Sequence, residues 1–269
     1  MPTEKSPISL KPQSKIICIA NQKGGVGKTT TAVNLAACLA AAERPTLLID
    51  IDPQGNATSG VGVDKASLKR TVYDALINEA DPCELIVDTG HPYLHIIPSN
   101  SDLAGAELEL ATEIGREHKL KFVLSALTEK YSYIIIDCPP SLSLLTINAM
   151  TAADSVLIPL QCEFYAMEGF SQILHTIKLI QKMVNPQLTN EGILLTMYDA
   201  RGNLSKEVAE EIRTHFPGQV FESVIPRNVR LAEAPSHGKP IIYYDITSRG
   251  ASSYLQLARE IIQREKHNG

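Results

Sequence analysis

The sequence predicts an α/β fold in which a doubly wound, mostly parallel sheet is flanked by helices on both faces. Two observations lead to this prediction. Short apolar, β-branched runs alternate with longer helical patterns along the 269 residues, and this alternation is typical of parallel βαβ units with right-handed crossovers. In addition, a glycine-rich loop joins the first apolar run to the first helical pattern, which is the order that builds a phosphate-binding site.

The individual elements follow from these runs. The predicted strands cover residues 15–20, 46–51, 94–98, 132–137, 155–160, 192–198 and 219–225. The predicted helices cover residues 29–42, 71–77, 103–115, 117–129, 143–152, 167–183, 204–216 and 252–264. Because no internal repeat or low-complexity linker interrupts the pattern, we expect residues 15–269 to form one domain. Residues 1–14 contain three prolines and scattered charges, and they are expected to be a disordered leader.

Composition narrows the class of protein. No apolar run approaches the roughly 20 residues of a membrane span, and the first residues lack the apolar stretch of a signal peptide. The five cysteines form no C-x-x-C pair, which argues against a zinc site or a disulfide framework and for a reduced cytoplasm. The net charge is −5, but residues 201–269 hold 10 basic and 8 acidic side chains. A mildly basic C-terminal quarter is compatible with weak DNA binding through one face.

The most informative segment follows the first predicted strand. It reads Lys23-Gly24-Gly25-Val26-Gly27-Lys28-Thr29-Thr30. Glycines let the backbone N–H groups close around an anion, and the helix start adds partial positive charge. A lysine at position 28 would reach the β- and γ-phosphates, and the Thr29 hydroxyl would bind Mg²⁺. The segment therefore predicts a site for ATP or ADP, with Gln22 where the strict P-loop pattern has glycine and a second lysine, Lys23, beside it.

Carboxylates end two further predicted strands. Asp50 and Asp52 close the run 46–51 and point to the same side, because side chains alternate along a strand. Asp137 ends the apolar run 132–137, as in the Walker B pattern. Ligands of open α/β sheets bind beyond the carboxyl ends of the strands. Beside a P-loop, Asp137 is therefore predicted to join Thr29 in holding Mg²⁺.

Together these segments resemble the ParA/MinD class of ATPases with a deviant P-loop, and more closely the chromosomal ParA proteins often called Soj. The motifs are the octet at 23–30, Asp52-Pro53-Gln54-Gly55-Asn56, Asp137-Cys138-Pro139-Pro140, Gln161-Cys162-Glu163 and the run 225–235. The resemblance implies that Lys23 reaches the nucleotide of a second subunit. It also implies that Asp52 positions or activates the attacking water and that Asp50 supports the magnesium shell. Independently of the resemblance, Lys28 and Mg²⁺ are expected to neutralise charge that develops as the bond breaks.

The same resemblance assigns residues near the C-terminal strands. Met197, Pro226 and Asn228 are implied to frame the adenine. The implied contacts to DNA phosphates are Arg201 and Arg230, with Arg227, Lys206 and Arg249 as weaker candidates.

The implied function is chromosome or plasmid partition. An ATP-dependent homodimer would bind non-specific double-stranded DNA, and a ParB-type centromere-binding protein would stimulate hydrolysis of Mg²⁺-ATP and release it. The protein would be cytoplasmic and nucleoid-associated, with no membrane partner.

Three alternatives stay open at this point. A MinD-type membrane switch that positions the division site would require a basic amphipathic tail, and the residues after Ile262 show no apolar face. An iron–sulfur ATPase of the nitrogenase iron-protein type would need a cysteine three residues beyond Asp137, where the chain has Pro140. A metabolite ligase on the same fold would need a separate set of substrate-binding acids, which the sequence does not display.

Overall fold

Eight strands form a single sheet in the residues that the computed structural model describes, 14–163 and 166–268. The strands are β1 (Lys15–Ile19), β2 (Thr46–Asp50), β3 (Val87–His91), β4 (Leu94–Ile97), β5 (Tyr133–Asp137), β6 (Ser155–Gln161), β7 (Thr189–Tyr198) and β8 (Val220–Pro226). Their order across the sheet is β3-β4-β2-β5-β1-β6-β7-β8. All neighbouring strands are parallel except β3 and β4, which are antiparallel.

Helices connect the strands on both sides of the sheet. They are α1 (Lys28–Ala41), α2 (Asn56–Gly60), α3 (Val72–Ile77), α4 (Leu103–Leu110), α5 (Lys119–Ser125), α6 (Leu144–Ala152), α7 (Ala166–Met183), α8 (Asn203–His215), α9 (Val229–Glu233), α10 (Ile241–Tyr244) and α11 (Arg249–Asn268). Because parallel strands need a crossover between them, the carboxyl ends of all strands except β3 meet at one edge. We call this edge the carboxyl edge.

The apolar core lies in two layers, one on each face of the sheet. Strand β1 shows why, since Ile16 and Cys18 belong to the apolar cluster that includes residues of α3–α8, whereas Ile17 and Ile19 belong to the cluster that includes residues of α1 and α11. Alternation along a strand sends successive side chains to opposite faces. Both faces are therefore covered, and the predicted doubly wound α/β fold is confirmed.

Some elements differ from the sequence prediction. Strand β3 was not predicted, because Asp88, Gly90 and His91 are weak strand formers and the strand is only half-buried. The predicted helix 103–115 ends at Leu110, and Gly115 adopts a left-handed φ of 71° before the next helical segment. The helices α2, α9 and α10 have only four or five residues, too few to show a helical period in sequence.

The first described residue is Ser14, which the sequence assigns to the leader. Ser14 is buried, and its hydroxyl donates to the carbonyl oxygens of Thr128 and Tyr131 at 2.6 and 2.5 Å. The rest of the predicted leader lies outside the described residues. That residues 15–269 form one domain remains our proposal. None of the helices in the described part of the chain is long and apolar enough to cross a bilayer.

Candidate nucleotide site

The glycine-rich loop connects β1 to α1 at the carboxyl edge of the sheet. Gly27 caps α1 in a left-handed conformation with φ 88°, and Gly25 has φ 74°. A side chain at Gly25 would meet no atom within 4 Å, so the glycine is required by its backbone conformation and not by lack of space. Helix α1 has 14 residues, and its free N–H groups and dipole favour an anion at this end.

Lys28 lies in the first turn of α1, with its ammonium group directed back over the loop. Its Nζ donates to the carbonyl oxygen of Lys23 at 3.0 Å, and the residue is only 7% exposed. Burial lowers the pKa of Lys28, and the charges of Asp137, Cys138 and Asp52 partly offset that shift. A buried cation of this kind gains most from a multiply charged anion beside it.

Lys23 has a partner within its own chain. Its Nζ lies 3.2 Å from Glu163 Oε2, and both side chains are partly exposed. The backbone N–H of Lys23 donates to Asn21 Oδ1 at 3.0 Å, and Asn21 in turn donates to the Pro159 carbonyl. The loop entrance is thus tied to β6, while among the described residues the Lys23 ammonium is held by a surface ion pair alone, which is weak.

Three carboxylates lie next to the loop. The register of β2 and β5 places Asp50 directly opposite Asp137. Asp50 Oδ2 accepts from both the N–H and the hydroxyl of Thr58, each at 2.8 Å, and Asp50 Oδ1 accepts from the Asp52 N–H at 3.1 Å. The Thr29 hydroxyl and the Lys28 ammonium are near enough to Asp137 to affect its ionisation, but neither carboxyl oxygen makes a hydrogen bond of ordinary geometry with a described residue, although the side chain is fully buried.

Burial dominates the ionisation of this pair. It raises the pKa of Asp137 well above its usual range, the charge of Asp50 adds to the shift, and Thr29 and Lys28 offset part of it. Burial also raises the pKa of Asp50 to about 6, against the opposing effect of the Thr58 hydrogen bonds. An unpaired buried carboxylate is costly unless a cation joins it.

These residues fit Mg²⁺. The hydroxyl of Thr29 and the free carboxylate of Asp137 are the oxygen donors that Mg²⁺ prefers, and the ion takes its remaining ligands from phosphates and water. Across residues 14–163 and 166–268 no group of three or more His, Cys, Asp or Glu side chains could hold a metal by itself. Asp52 and Thr58 donate to the two oxygens of Asp50, and its support of the magnesium shell stays a prediction.

We expect Asp137→Asn to stabilise the nucleotide-free protein. A neutral amide costs less to bury than an unpaired carboxylate, so at pH 8 with EDTA the Tm should rise by roughly 2–4 °C for each kcal/mol gained. The raised pKa means that the folded protein binds this proton to higher pH than the unfolded chain, so the gain should shrink as pH falls.

The same scan with Mg²⁺-ATP provides the second half of the test. Wild-type protein should gain more from Mg²⁺-ATP than Asp137→Asn does, because the variant lacks the free carboxylate. Glu129→Gln, at an exposed position on a different part of the surface, is the control and should change neither Tm. A nucleotide-free Asp137→Asn protein that melts below wild type would contradict the unpaired state of this carboxylate.

A small apolar cavity of about 260 Å³ adjoins the loop at Gly27 and Thr30. All three predicted base-pocket residues, Met197, Pro226 and Asn228, line it. The sequence missed six further lining residues, namely Thr196, Ile225, Arg227, Leu231, Ala232 and Tyr254. No local signal marks them as a group, because they come from β7, β8, α9 and α11 and from the loop that precedes α9.

The geometry of this cavity depends on two unusual features. Met197 has a left-handed φ of 50° where the pairing of β7 with β8 shifts register, a strained conformation for a residue with a side chain. Thr196 Oγ1 donates to the Val26 carbonyl at 2.9 Å, which ties β7 to the glycine-rich loop. Asn228 Oδ1 caps α9 by accepting from the Arg230 N–H at 2.8 Å, so its side chain shapes the wall and its oxygen is already used.

The arginines predicted to contact DNA phosphates lie around the same edge of the sheet, and they differ in whether an acidic side chain pairs with them. Arg201 and Arg227 are exposed, and their guanidinium groups form no ion pair with any described residue. Arg230 lies 2.9 Å from Glu233 and 3.4 Å from Asp245. The weaker candidates, Lys206 in α8 and Arg249 at the start of α11, are exposed. The structure thus brings these arginines to one edge but leaves Arg230 neutralised.

Comparison with known proteins agrees with this geometry. A family model described as an AAA domain matches residues 14–190. The chain is 59% identical to the chromosome partitioning protein ParA of Myxococcus xanthus, over 93% of this chain and 89% of that protein. It is 60% identical to the sporulation initiation inhibitor protein Soj of Bacillus subtilis, over 92% of this chain and 98% of that protein.

A solved structure has a similar fold. It is described as cobyrinic acid a,c-diamide synthase from Mycobacterium smegmatis with bound ADP and magnesium. The two chains superpose with a TM-score of 0.84 at 37% identity, covering 95% of this chain and 97% of that one. The similarity therefore extends over nearly the whole sheet and both helical layers.

Proposed function

Because the chain belongs to the ParA/Soj family of chromosome-partitioning ATPases, we propose that it is an ATP-dependent switch that binds DNA as a dimer and releases it after hydrolysis. The observation that carries the proposal is the continuity of two sites. Gly27 and Thr30 belong to the glycine-rich loop and also line the apolar cavity. One ligand with phosphates and a planar apolar base would therefore fill both, as ATP or ADP does.

The phosphates are assigned to the loop that carries the predicted octet. Backbone N–H groups of residues 24–30 surround them, and the buried ammonium of Lys28 contacts the β- and γ-phosphates. Thr29 and Asp137 would hold Mg²⁺, with Asp50 in support. The ion would supply charge neutralisation on the phosphate oxygens. Met197, Pro226 and Asn228 would contact the base in the cavity.

Hydrolysis needs a water in line with the bond that breaks. We assign its alignment to Asp52, which is 7% exposed and lies at the carboxyl edge two residues beyond Asp50. Water attacks the γ-phosphorus, the bond to the β–γ bridging oxygen breaks, and ADP leaves with the charge on that oxygen. Lys28 stabilises this charge, and Lys23 of a second copy completes the site, so isolated subunits hydrolyse slowly.

Dimerisation connects the nucleotide to DNA binding. Arg201, Arg227 and Arg230 would contact phosphates without reading sequence, so binding should weaken steeply with salt. A single subunit offers few such contacts, and a dimer doubles them on one rigid body. A ParB-type partner would stimulate hydrolysis and release the dimer. The protein would then act in the cytoplasm, on the nucleoid, without a membrane partner.

The experiment is a co-sedimentation assay with non-specific duplex DNA in ATP, ADP or no nucleotide, across salt concentrations. Retention that requires ATP and falls with salt supports the proposal. A protein that stays monomeric with Mg²⁺ and a non-hydrolysable ATP analogue would reject it.

We expect Asp52→Asn to separate hydrolysis from binding. Loss of a group that aligns or activates water should lower the hydrolysis rate by about 10²–10⁴-fold, while ATP binding and dimer formation persist. Lys28→Ala is the contrasting variant and should lose ATP binding itself. Phosphate release measures the rate, and light scattering with ATP measures the dimer. Wild-type hydrolysis by Asp52→Asn would remove Asp52 from the reaction.

The same purified protein serves to test the alternative functions. A membrane switch of the MinD type predicts ATP-dependent sedimentation with liposomes in place of DNA. A metabolite synthase, the activity named for the Mycobacterium smegmatis structure, predicts no ATP-dependent DNA retention. The iron–sulfur alternative lacks accessible ligands, because every cysteine except the half-buried Cys83 is buried. A colourless purified protein would agree with that assignment.

A further inference from the structure

Thr58 occupies an unusual position beneath the loop that carries Asp52. Its backbone N–H and its hydroxyl both donate to Asp50 Oδ2, each at 2.8 Å. The same hydroxyl accepts from the Ser99 N–H at 2.9 Å. Thr58 and Asp50 are fully buried. One hydroxyl thus joins the end of β2, the start of α2 and the segment that follows β4.

These bonds close the segment 50–58 into a loop with both ends fixed. Within it the Asp52 N–H donates to Asp50 Oδ1 at 3.1 Å, and the Gly55 N–H donates to the Asp52 carbonyl at 2.9 Å. The Gln54 N–H donates to Asp52 Oδ1 at 2.9 Å. The carboxylate of Asp52 therefore has one oxygen engaged inside the loop, and its direction depends on how the loop is anchored.

The outer side of the loop is equally constrained. Lys65 Nζ donates to the Gln54 carbonyl at 2.7 Å. A Cβ at Gly55, where φ is 61°, would lie 2.7 Å from Lys65 Cδ and 2.8 Å from the Ser99 carbonyl oxygen. Ser99 thus contacts the loop twice, once through the Thr58 hydroxyl and once beside Gly55. The Thr58 hydroxyl anchors the loop on its buried side.

We propose that Thr58 is a positioning residue for ATP hydrolysis, acting through Asp50 to hold Asp52 in the direction that aligns the attacking water. The inference rests on the proposed function, since it assigns Thr58 a part in the step given to Asp52. It also explains why both oxygens of Asp50 are occupied by the protein. Asp50 anchors the loop on one side of the site, and the free carboxylate of Asp137 faces the nucleotide on the other.

The test compares Thr58→Val with Thr58→Ser. Valine keeps the backbone N–H bond to Asp50 and removes only the hydroxyl, whereas serine keeps the hydroxyl. A small displacement of a catalytic group lowers rates by up to about 10²-fold, so Thr58→Val should lower kcat by roughly 10- to 100-fold. Its affinity for a fluorescent ATP analogue and its ATP-dependent dimerisation should remain close to wild type. Thr58→Ser should recover most of kcat.

Thr151→Val is the matched control. Thr151 is also a fully buried threonine whose hydroxyl donates to a backbone carbonyl, that of Ile147 at 2.7 Å, but it lies in α6 away from the loop. Its kcat should stay at the wild-type value, and melting curves of all variants report the structural cost of each change.

Two results would overturn the inference. One is wild-type kcat in Thr58→Val. The other is a parallel loss of stability, nucleotide affinity and kcat that serine does not restore, which would make Thr58 a purely structural residue. If Asp52→Asn itself hydrolyses ATP normally, the assignment of Asp52 under the proposed function fails instead, and the two failures are thereby distinguished.

Discussion

Lys23→Ala should retain nucleotide but lose ATP-dependent dimerisation and, with it, DNA retention. Within the described part of the single chain, the Lys23 ammonium forms a partly exposed ion pair with Glu163, which contributes little to stability. The triphosphate of a second subunit carries more negative charge than one carboxylate and offers a better partner. Light scattering with a non-hydrolysable ATP analogue measures the dimer, and fluorescence of a labelled nucleotide measures binding.

Glu163→Gln distinguishes the two partners of Lys23. If Lys23 matters only because it pairs with Glu163, both variants should lose the dimer. If Lys23 acts on the nucleotide of the second subunit, Glu163→Gln should form dimers at least as well as wild type, because the competing carboxylate is gone. Normal dimers in Lys23→Ala would refute the role across the interface.

Replacing Arg201 and Arg230 together by glutamate should abolish DNA retention and spare ATP-dependent dimerisation. Each phosphate contact that is lost should also flatten the salt dependence, by about 0.9 in the slope of log K against log salt. Arg201→Glu alone should have the larger single effect. The Arg201 side chain is exposed, whereas the charge of Arg230 is already balanced by Glu233 and Asp245.

Arg213→Glu is the matched control for charge. Arg213 is exposed and lies in the last turn of α8, whereas Arg201 precedes the first turn of the same helix. The two arginines therefore lie at opposite ends of α8. Equal loss of DNA binding in Arg213→Glu and Arg201→Glu would show a general charge effect and would reject a DNA-binding face at the carboxyl edge.

Local sequence was sufficient for the framework of the site. The glycine-rich octet and the acids that end β2 and β5 are recognised from short segments of sequence. Seven of the eight strands in the described part of the chain also follow from local sequence patterns. A parallel sheet brings the carboxyl ends of its strands to one edge, so the sequence predicts that Lys28, Asp52 and Asp137 belong to the same site. Strand β3 was not predicted, because its polar, glycine-containing segment is stabilised by pairing with β4 rather than by its own strand propensity.

Family resemblance supplied what local chemistry could not. Met197, Pro226 and Asn228 were assigned to the base pocket on that ground, and the cavity includes all three. No local signal points to Tyr254, which reaches the cavity from α11 and lies 26 residues beyond Asn228.

Local sequence is enough to predict which groups bind phosphate, because a glycine turn between a strand and a helix acts through its own backbone. The tertiary structure decided which of the charged groups are free. Among the described residues it left the carboxyl oxygens of Asp137 without a hydrogen bond of ordinary geometry and the Arg201 guanidinium without an ion pair. It paired Lys23 with Glu163 and Arg230 with Glu233, and it used one oxygen of Asp50 to hold the Asp52 N–H and the other to hold Thr58. The physical reason is that the energy of a charge depends on burial and on neighbours that are distant in sequence, and only folding brings those neighbours together.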